Sequence, residues 1–328
     1  MKAAVYDRYG PPDVVQIRDV PRPVPKAHEV LIETRATTVT SADWRVRSLV
    51  LPTGFGLLGR LALGVVRPRQ PVLGSELAGV VVAVGTRVTR FKPGDAVFAF
   101  SDAAMGCHAQ YKCLPEQGAV ALKPAHLTYG EAAALSFGGT TALDFFRRGR
   151  LQRGERLLVN GASGAVGTAA VQLARNLGAH VTAVCSVAHA DLLMSLGAHE
   201  VIDYRTQDFT QRGQRWDVVM DNAGTAPWRR SAPVLTARGR LLLVLGGLPD
   251  MLRAPWVALT TRQRVIAGPA AGRAEDLHQL AALAQAGAFK PVIDRYYPFE
   301  RIVDAHRHVD SGRKRGNVVV LVGEDGLG

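Results

Sequence analysis

The sequence is poor in cysteine. Cys107, Cys113 and Cys185 are the only three among 328 residues, and no two of them form a CxxC motif. This excludes a disulfide framework and predicts a reducing compartment. No signal peptide is expected, because the N-terminal MKAAVYDRYG has no long apolar core followed by a cleavage site. These residues are expected to form a short strand of the fold.

Long apolar runs are also missing. The stretch FGLLGRLALGVV at 55–66 is too short to span a bilayer, and Arg60 interrupts it. We therefore expect no membrane-spanning segment. The stretch is expected to line or cover an apolar cleft instead.

The sequence also lacks a cluster of like charges. The net charge is +12, but the basic residues are mostly arginines, which are spread from Arg8 to Arg315, and there is no run of five and no interleaving of aromatic residues. This argues against nucleic acid as a partner, because strand binding uses basic grooves lined with stacking aromatic side chains. The charge instead predicts a solvated basic surface, whose positive field would attract an anionic cofactor. A hydrophobic content of 47% excludes a disordered chain.

The chain changes its pattern near residue 124. Residues 1–123 read as β-rich, with strands predicted at 29–39 and 76–85. From 124 to 290, helix-length segments alternate with short apolar strands, which predicts a parallel sheet with helices on both faces. Residues 291–328 return to strand and turn character and are expected to rejoin the first domain. In the second domain we predict strands at 155–160, 180–186, 200–204, 216–222, 240–246 and 264–268, and helices at 164–178, 190–197 and 273–287.

A glycine-rich loop joins the first strand and helix of the second domain. Gly161, Gly164 and Gly167 follow the strand 155–160 and open the helix 164–178. In a βαβ unit, such glycines permit the turn, the approach of a pyrophosphate and close packing of the helix. The alternative is a tight turn without a ligand. We predict a dinucleotide site in which the loop residues Ser163, Ala165 and Val166 take part with the glycines.

The end of the next strand distinguishes the two nicotinamide cofactors. An acidic residue there would bind the ribose 2′-hydroxyl of NAD, but this strand ends at Cys185 and Ser186, and the next acidic residue is Asp191. A 2′-phosphate would therefore meet no carboxylate, and NADPH is predicted. The candidate donors to this phosphate are Ser186, His189, Tyr204 and Arg205. For His189 and Arg205, ordinary surface exposure is the alternative.

Three motifs in order carry a family resemblance. They are GSELAGVVVAVGTRVTRFKPGDAVFA at 74–99, EAAALSFGGTTAL at 131–143 and GASGAVGTAAVQLA at 161–174. Together they resemble the medium-chain dehydrogenase/reductase superfamily, in its zinc-independent quinone oxidoreductase-like branch. The resemblance implies an α/β chain with a GroES-like β-rich catalytic domain and a doubly wound Rossmann domain. It also implies an active site in the cleft between them and a cytoplasmic homodimer that acts on a small-molecule substrate.

The same resemblance implies that no metal is used. Zinc-dependent members hold a catalytic Cys, His and Cys at positions that correspond to Thr40, Ser75 and Phe137 here. None of these three residue types is a usual zinc ligand. The four-cysteine structural zinc lobe also has no counterpart, since only Cys107 and Cys113 lie in the first domain.

Site residues follow from the resemblance. The catalytic candidates are Thr40, Asp43, Arg47 and Ser75, which surround the lost metal positions. For Asp43 the alternative is a helix cap or an ion pair, and for Arg47 it is a solvent-exposed side chain. Many zinc-free relatives have Asn in place of Thr40, and relatives commonly have Lys in place of Asn317. The further cofactor contacts that the resemblance implies are Thr140, Thr141 and Asn317. Asn222, Gly246 and Gly247 are added because they lie at the carboxyl ends of predicted strands, where a dinucleotide binds.

The predicted function is hydride transfer from NADPH to a quinone or an α,β-unsaturated carbonyl. One alternative is a reductase of another carbonyl or of an enoyl thioester. Another is a non-catalytic NADPH-binding protein, such as a redox sensor. A zinc alcohol dehydrogenase is disfavoured by the three replaced ligand positions.

Overall fold

The computed structural model of the chain describes residues 1–323. The strands are β1 (Lys2–Val5), β2 (Gln16–Asp19), β3 (Glu29–Val39), β4 (Glu76–Val84), β5 (Ala96–Phe100), β6 (Tyr111–Pro115), β7 (Val120–Leu122), β8 (Arg156–Asn160), β9 (His180–Cys185), β10 (Glu200–Asp203), β11 (Trp216–Asp221), β12 (Leu235–Leu243), β13 (Arg264–Ala267), β14 (Ile293–Pro298) and β15 (Asn317–Leu321). The helices are α1 (Ser41–Ser48), α2 (Gly56–Leu63), α3 (Tyr129–Ala133), α4 (Ser136–Gly149), α5 (Ala165–Leu177), α6 (Ala190–Ser195), α7 (Trp228–Ser231), α8 (Leu248–Thr260), α9 (Ala274–Gln285) and α10 (Ile302–Asp310).

The described residues form two compact units. Unit 1 consists of residues 1–51, 56–137 and 272–323, and unit 2 of residues 52–55 and 138–271. These divisions differ from the boundaries at 123/124 and 290/291 that the sequence suggests. The difference arises because α3 packs against β3 and β4, and α9 packs against β7, so both helices belong to unit 1.

Unit 1 is built on a seven-stranded sheet. Its strand order is β14-β15-β3-β4-β5-β7, and β6 also pairs with β3. The longest of these strands is β3, which is rich in β-branched residues and coincides with the predicted strand at 29–39. Its side chains Val30 and Ile32 are fully buried in one apolar cluster together with Leu77 of β4. The β-rich character predicted for this part of the chain is confirmed.

Unit 2 contains six parallel strands in the order β10-β9-β8-β11-β12-β13. Strands β9 and β10 therefore lie on one side of β8, and β11, β12 and β13 lie on its other side. This is the strand order of dinucleotide-binding sheets, in which ligands bind at the carboxyl ends of the two strands where the order reverses. The prediction of an α/β domain with a parallel sheet is confirmed, and the site is expected where β8 and β11 end.

The apolar stretch 55–66 contains a short helix. Helix α2 has eight residues, and no helix within residues 1–323 is long and apolar enough to cross a membrane.

Candidate functional site

The three loop glycines have three different surroundings. Gly161 has a φ of 73°, a left-handed conformation that side chains disfavour, so it makes the turn out of β8. A Cβ atom on Gly167 would lie 2.4 Å from the carbonyl oxygen of Gly161, so only glycine allows α5 to approach the loop so closely. A Cβ on Gly164 would meet only that same oxygen, at 4.0 Å. The space in front of Gly164 is therefore open to a ligand.

Helix α5 begins at this open position. Gly164 is its N-cap residue, and within residues 1–323 no side chain caps the helix. The first N–H groups of a helix have no intrahelical acceptor, and the helix dipole makes that end electropositive. Ser163, Ala165 and Val166 flank the cap. This arrangement fits the pyrophosphate of a dinucleotide.

A buried ion-amide pair fixes the loop. The Asp221 carboxylate, at the end of β11, accepts hydrogen bonds from Asn160 Nδ2 at 2.8 Å and from the backbone N–H groups of Ala223, Gly224 and Ala226. Asn160 is the last residue of β8 and directly precedes Gly161. The pair thus joins the two strand ends on either side of the sheet reversal. Neither residue is predicted from the glycine motif, although each is the polar last residue of an apolar strand.

Asn222 provides a second indication of a ligand. It follows β11, and both its amide oxygen and its amide nitrogen are buried without a hydrogen-bond partner. An unsatisfied buried amide costs roughly 1–3 kcal/mol. A cofactor lying across the ends of β8 and β11 would offer these atoms partners, so Asn222 fits the predicted role.

The candidate 2′-phosphate donors lie on neighbouring strand ends. Ser186 follows β9, and the Tyr204 N–H donates to the carbonyl of Cys185 at 3.1 Å, which brings Tyr204 and Arg205 beside Ser186. Tyr204 is exposed, and the Arg205 guanidinium lies 5.9 Å from the centroid of its ring. Asp203, which is paired in register with Cys185, also lies here, and its Oδ1 accepts from the Arg205 N–H at 3.0 Å. The sequence at the end of β9 gives no sign of this carboxylate, which belongs to the neighbouring strand β10.

Three other predicted contacts lie in unit 2, and two of them, Gly246 and Gly247, are closely packed. A Cβ on Gly246 would lie 2.8 Å from the Ala267 Cβ, and one on Gly247 would lie 2.4 Å from the Thr53 carbonyl oxygen. Both glycines are therefore required by close packing of the chain. His189, by contrast, has a buried Nδ1 atom without a partner, so it retains a hydrogen-bonding group for a ligand.

Helix α4 packs close to the start of α5. A Cβ on Gly138 would lie 2.5 Å from the Ala165 carbonyl oxygen, so glycine is needed at this contact. Thr140 and Thr141, in the same helix, are buried. The contact holds α4 near the electropositive end of α5, in line with the predicted cofactor role of the two threonines.

In unit 1, Thr40 and Asp43 cap helix α1 together. Thr40 is the N-cap residue; its hydroxyl accepts from the Ala42 and Asp43 N–H groups and donates to Asp43 Oδ2 at 2.7 Å. Asp43 is fully buried, and its Oδ1 accepts from the Gly74 N–H at 2.8 Å. The helix-cap alternative for Asp43 is thus what the structure shows. The carboxylate also holds Thr40 close to the segment that contains Ser75.

Glu76 binds the backbone of Phe137, the third position that the resemblance equates with a zinc ligand. Its Oε2 accepts from the Phe137 N–H at 2.5 Å, and its Oε1 accepts from the Thr38 hydroxyl. Full burial raises the pKa of Glu76 to about 8, although both hydrogen bonds oppose this. Ser75, its neighbour, is buried, and its hydroxyl has no partner. Thr40, Ser75 and Phe137 are therefore attached to one connected network.

Two further candidates in unit 1 have structural partners. The Arg47 side chain is 0% exposed; it donates to both Asp310 oxygens at 2.6 Å and to the Gly10 carbonyl. The solvent-exposed alternative for Arg47 is wrong, because the guanidinium joins α1 to α10. Asn317 starts β15, and its Nδ2 donates to the Val292 carbonyl at 3.0 Å, while its Oδ1 has no partner.

The described part of the chain brings no group of three or more His, Cys, Asp or Glu side chains together in a way that could hold a metal ion. The side chains at the three positions that the resemblance equates with zinc ligands also bear on metal binding. A hydroxyl at Thr40, a hydroxyl at Ser75 and a phenyl ring at Phe137 offer zinc none of the thiolate and imidazole donors it prefers.

Comparison with known protein families identifies two regions. Residues 26–140 match the alcohol dehydrogenase GroES-like domain, and residues 196–320 match a family described as zinc-binding dehydrogenase. The first match confirms the GroES-like assignment of the β-rich part. Both matches agree with the order of parts expected from the sequence.

Individual proteins are similar over nearly the whole chain. A chloroplastic quinone-oxidoreductase homolog of Spinacia oleracea is 31% identical, with 98% of both chains covered. The mitochondrial NAD(P)H oxidoreductase RTN4IP1 of Mus musculus is 30% identical, covering 98% of this chain and 89% of its own. Among solved structures, the quinone oxidoreductase from Coxiella burnetii superimposes with a TM-score of 0.87 at 26% identity, covering 98% and 99% of the two chains. With the glycine loop, the strand order and these matches, the chain belongs to the medium-chain dehydrogenase/reductase superfamily, in its quinone oxidoreductase-like branch of oxidoreductases.

Proposed function

We propose that the protein transfers hydride from NADPH to a quinone or an α,β-unsaturated carbonyl without a catalytic metal. The observation that carries this proposal is the residue set at the lost metal positions. Asp43 bonds Thr40 and the Gly74 N–H, and Glu76 bonds the Phe137 N–H, so the segment 74–76 that contains Ser75 connects the three positions. Neither Thr, Ser nor Phe is a usual zinc ligand.

The substrate class follows from the missing Lewis acid. Zinc polarises a carbonyl oxygen and so activates an otherwise weak hydride acceptor. A protein without that ion is suited to acceptors that are already electron-poor, such as quinones and enones. The similarity to quinone oxidoreductases supports the same class.

NADPH would be held by unit 2 and would supply the hydride from its nicotinamide C4. The N–H groups at the start of α5 fit its pyrophosphate, and the unpartnered amide of Asn222 would gain hydrogen bonds from the bound cofactor. Ser186, Tyr204 and Arg205 would donate to the 2′-phosphate. The mitochondrial relative is named for NAD(P)H, and the preference for NADPH here depends on these donors in spite of the adjacent Asp203.

Among the catalytic candidates, Ser75 has a hydroxyl that could donate a hydrogen bond to the substrate. The proton of Thr40 is donated to Asp43, and the Arg47 guanidinium is held by Asp310 and Gly10. The Ser75 hydroxyl has no such partner. We assign it to stabilise the negative charge that grows on the substrate oxygen. Asp43 is then a positioning residue for this segment, and Arg47 has the structural role of joining α1 to α10.

The test is oxidation of NADPH and NADH by the purified protein, with quinones, enones and simple aldehydes as acceptors. We expect turnover of quinones or enones that prefers NADPH and persists in a metal chelator. Turnover that the chelator abolishes, and that added zinc restores, would contradict the metal-free proposal. Tight NADPH binding without reduction of any acceptor would favour the sensor alternative.

Two variants test the assigned residues. Ser75→Ala should lower kcat about 100- to 1000-fold while NADPH affinity stays the same, as expected for loss of one donor to a developing oxyanion. Arg205→Gln should weaken NADPH about tenfold or more and leave NADH unchanged, because one charge-assisted bond is lost. Arg215→Gln, at an exposed site of the same unit, is the control. Equal losses for NADPH and NADH would remove Arg205 from the phosphate site.

The homodimer and the cytoplasmic location stay predictions. The two curated relatives described above are named as chloroplastic and mitochondrial proteins, so the family occurs in more than one compartment. Sedimentation equilibrium of the purified chain would establish its oligomeric state.

A further inference from the structure

Helix α2 presents leucines to solvent instead of to a core. Leu57, Leu58 and Leu61 are 73%, 52% and 52% exposed, and no residue of the helix is buried. Their i, i+1 and i+4 spacing places them on one side of the helix. Just beyond the helix, Val65 and Val66 are also exposed, at 54% and 87%. We refer to these five residues as the α2 face.

The opposite side of α2 is attached to unit 1. A Cβ on Gly59 would lie 1.9 Å from Leu51 Cδ1, so the helix packs through its glycine. The Tyr9 hydroxyl donates to the Gly64 carbonyl, at the end of the helix, at 2.8 Å. These contacts fix the orientation of the helix, and the α2 face points away from the unit that carries it.

The charges around the α2 face are all of one sign. Arg60, Arg67 and Arg69 are exposed, and no acidic residue occurs between Asp43 and Glu76. Such a combination of exposed leucine, valine and arginine is typical of segments that lie at a membrane surface. An apolar patch of this kind on a folded protein generally marks an interaction site.

We propose that the α2 face and its three arginines form a contact surface for a bilayer that carries anionic lipids. The apolar side chains enter the boundary between headgroups and acyl chains, and the guanidinium groups pair with lipid phosphates. A second copy of the chain is a poorer occupant. A symmetric contact would bring Arg60, Arg67 and Arg69 against the same three arginines. The anionic surface complements these charges.

The experiment is cosedimentation of the full chain with vesicles of phosphatidylcholine alone, or of phosphatidylcholine and phosphatidylglycerol in equal amounts. We expect binding to the anionic vesicles only, and weaker binding as salt is added. Leu57→Ser with Leu61→Ser should reduce it about tenfold or more, because the buried apolar area is lost. The matched control is Leu122→Ser with Leu177→Ser, at leucines that are 59% and 43% exposed elsewhere.

A charge variant keeps the test decisive if the leucine variant does not fold. Arg67→Gln with Arg69→Gln should weaken binding about fivefold for each arginine, whereas Arg215→Gln with Arg238→Gln should not. Circular dichroism confirms the fold of each variant.

No vesicle binding, equal binding to neutral vesicles, or equal loss in the controls would overturn the proposal. Self-association that the leucine variant abolishes would assign the face to a second copy. Because no substrate is present, the result is independent of the proposed reductase activity.

Discussion

Gly164 and Gly167 lie about one turn apart at the start of α5, yet their surroundings are opposite. A side chain on Gly164 would enter open space, whereas one on Gly167 would strike the backbone of the loop. We expect Gly164→Ala to change the free energy of unfolding by less than about 1 kcal/mol but to weaken NADPH about tenfold or more, because a methyl group stands where the pyrophosphate approaches. Thermal unfolding and a fluorescence titration measure the two effects.

Gly167→Ala is the matched comparison. Its Cβ would lie 2.4 Å from the Gly161 oxygen, so the loop and helix must separate. The free energy of unfolding should fall by about 1–3 kcal/mol, the usual cost of overpacking. If Gly164→Ala left NADPH affinity intact, the open space would not be the phosphate site.

At the level of elements, the ion pair between the buried Arg47 side chain and the partly exposed Asp310 carboxylate joins α1 to α10. Arg47→Met would leave the Asp310 carboxylate and the Gly10 carbonyl without their donor. We expect the free energy of unfolding to fall by about 3 kcal/mol, while kcat per folded molecule stays the same. Arg307→Met, which breaks exposed pairs with Asp13 and Asp304, should have little effect on stability because solvent screens both pairs. A drop in kcat beyond the folded fraction would restore Arg47 to the catalytic residues.

Helix α10 also carries a buried histidine. His306 is 0% exposed, both of its ring nitrogens lack partners, and its ring lies edge-on to His108 at 5.5 Å. Burial, reinforced by His108 and Arg47, holds the pKa of His306 well below its usual 6.5. The unfolded chain therefore takes up a proton below about pH 6.5 that the folded chain does not.

It follows that the free energy of unfolding should decrease as the pH falls below about 6.5, by at most about 1.4 kcal/mol per pH unit from this group. His306→Leu should flatten that slope and cost little at pH 8, since the two unpartnered nitrogens are removed. Urea unfolding at a series of pH values measures it, with the exposed His28→Gln as control. An unchanged slope in the leucine variant would place the titrating group elsewhere.

At the scale of the whole molecule, the net charge of +12 should raise the rate at which anionic ligands associate. Raising the ionic strength from about 0.01 M to about 0.15 M shortens the Debye length from about 30 Å to about 8 Å. We expect the association rate of NADPH to fall about tenfold over this range, and that of NADH to fall less, because it lacks the 2′-phosphate. Stopped-flow fluorescence measures both rates. Salt-independent association would show that the charge is too dispersed to steer the cofactor.

The sequence by itself determined the elements whose patterns are local. Strand β3 coincides with its predicted range, and α5 begins and ends within one residue of its prediction, because β-branched runs and glycine ends act over a few residues. The strand predicted at 240–246 is observed at Leu235–Leu243. Its N-terminal half contains Arg238 and Gly239, which resemble a loop. In that half only Leu235 pairs with β11, opposite Trp216, and the register shifts before pairing resumes at Arg240.

Only the tertiary structure decided which distant residues meet. Arg47 and Asp310 are 263 residues apart, and Asp221 reaches Asn160 only because β8 and β11 are neighbours in the sheet. Asp203 lies beside Cys185 through the register of two parallel strands, which no reading along the chain reveals. The sequence showed which chemical groups are available, since motifs are local. Which of them keep a free hydrogen-bonding atom depends on packing between residues that are distant in the chain.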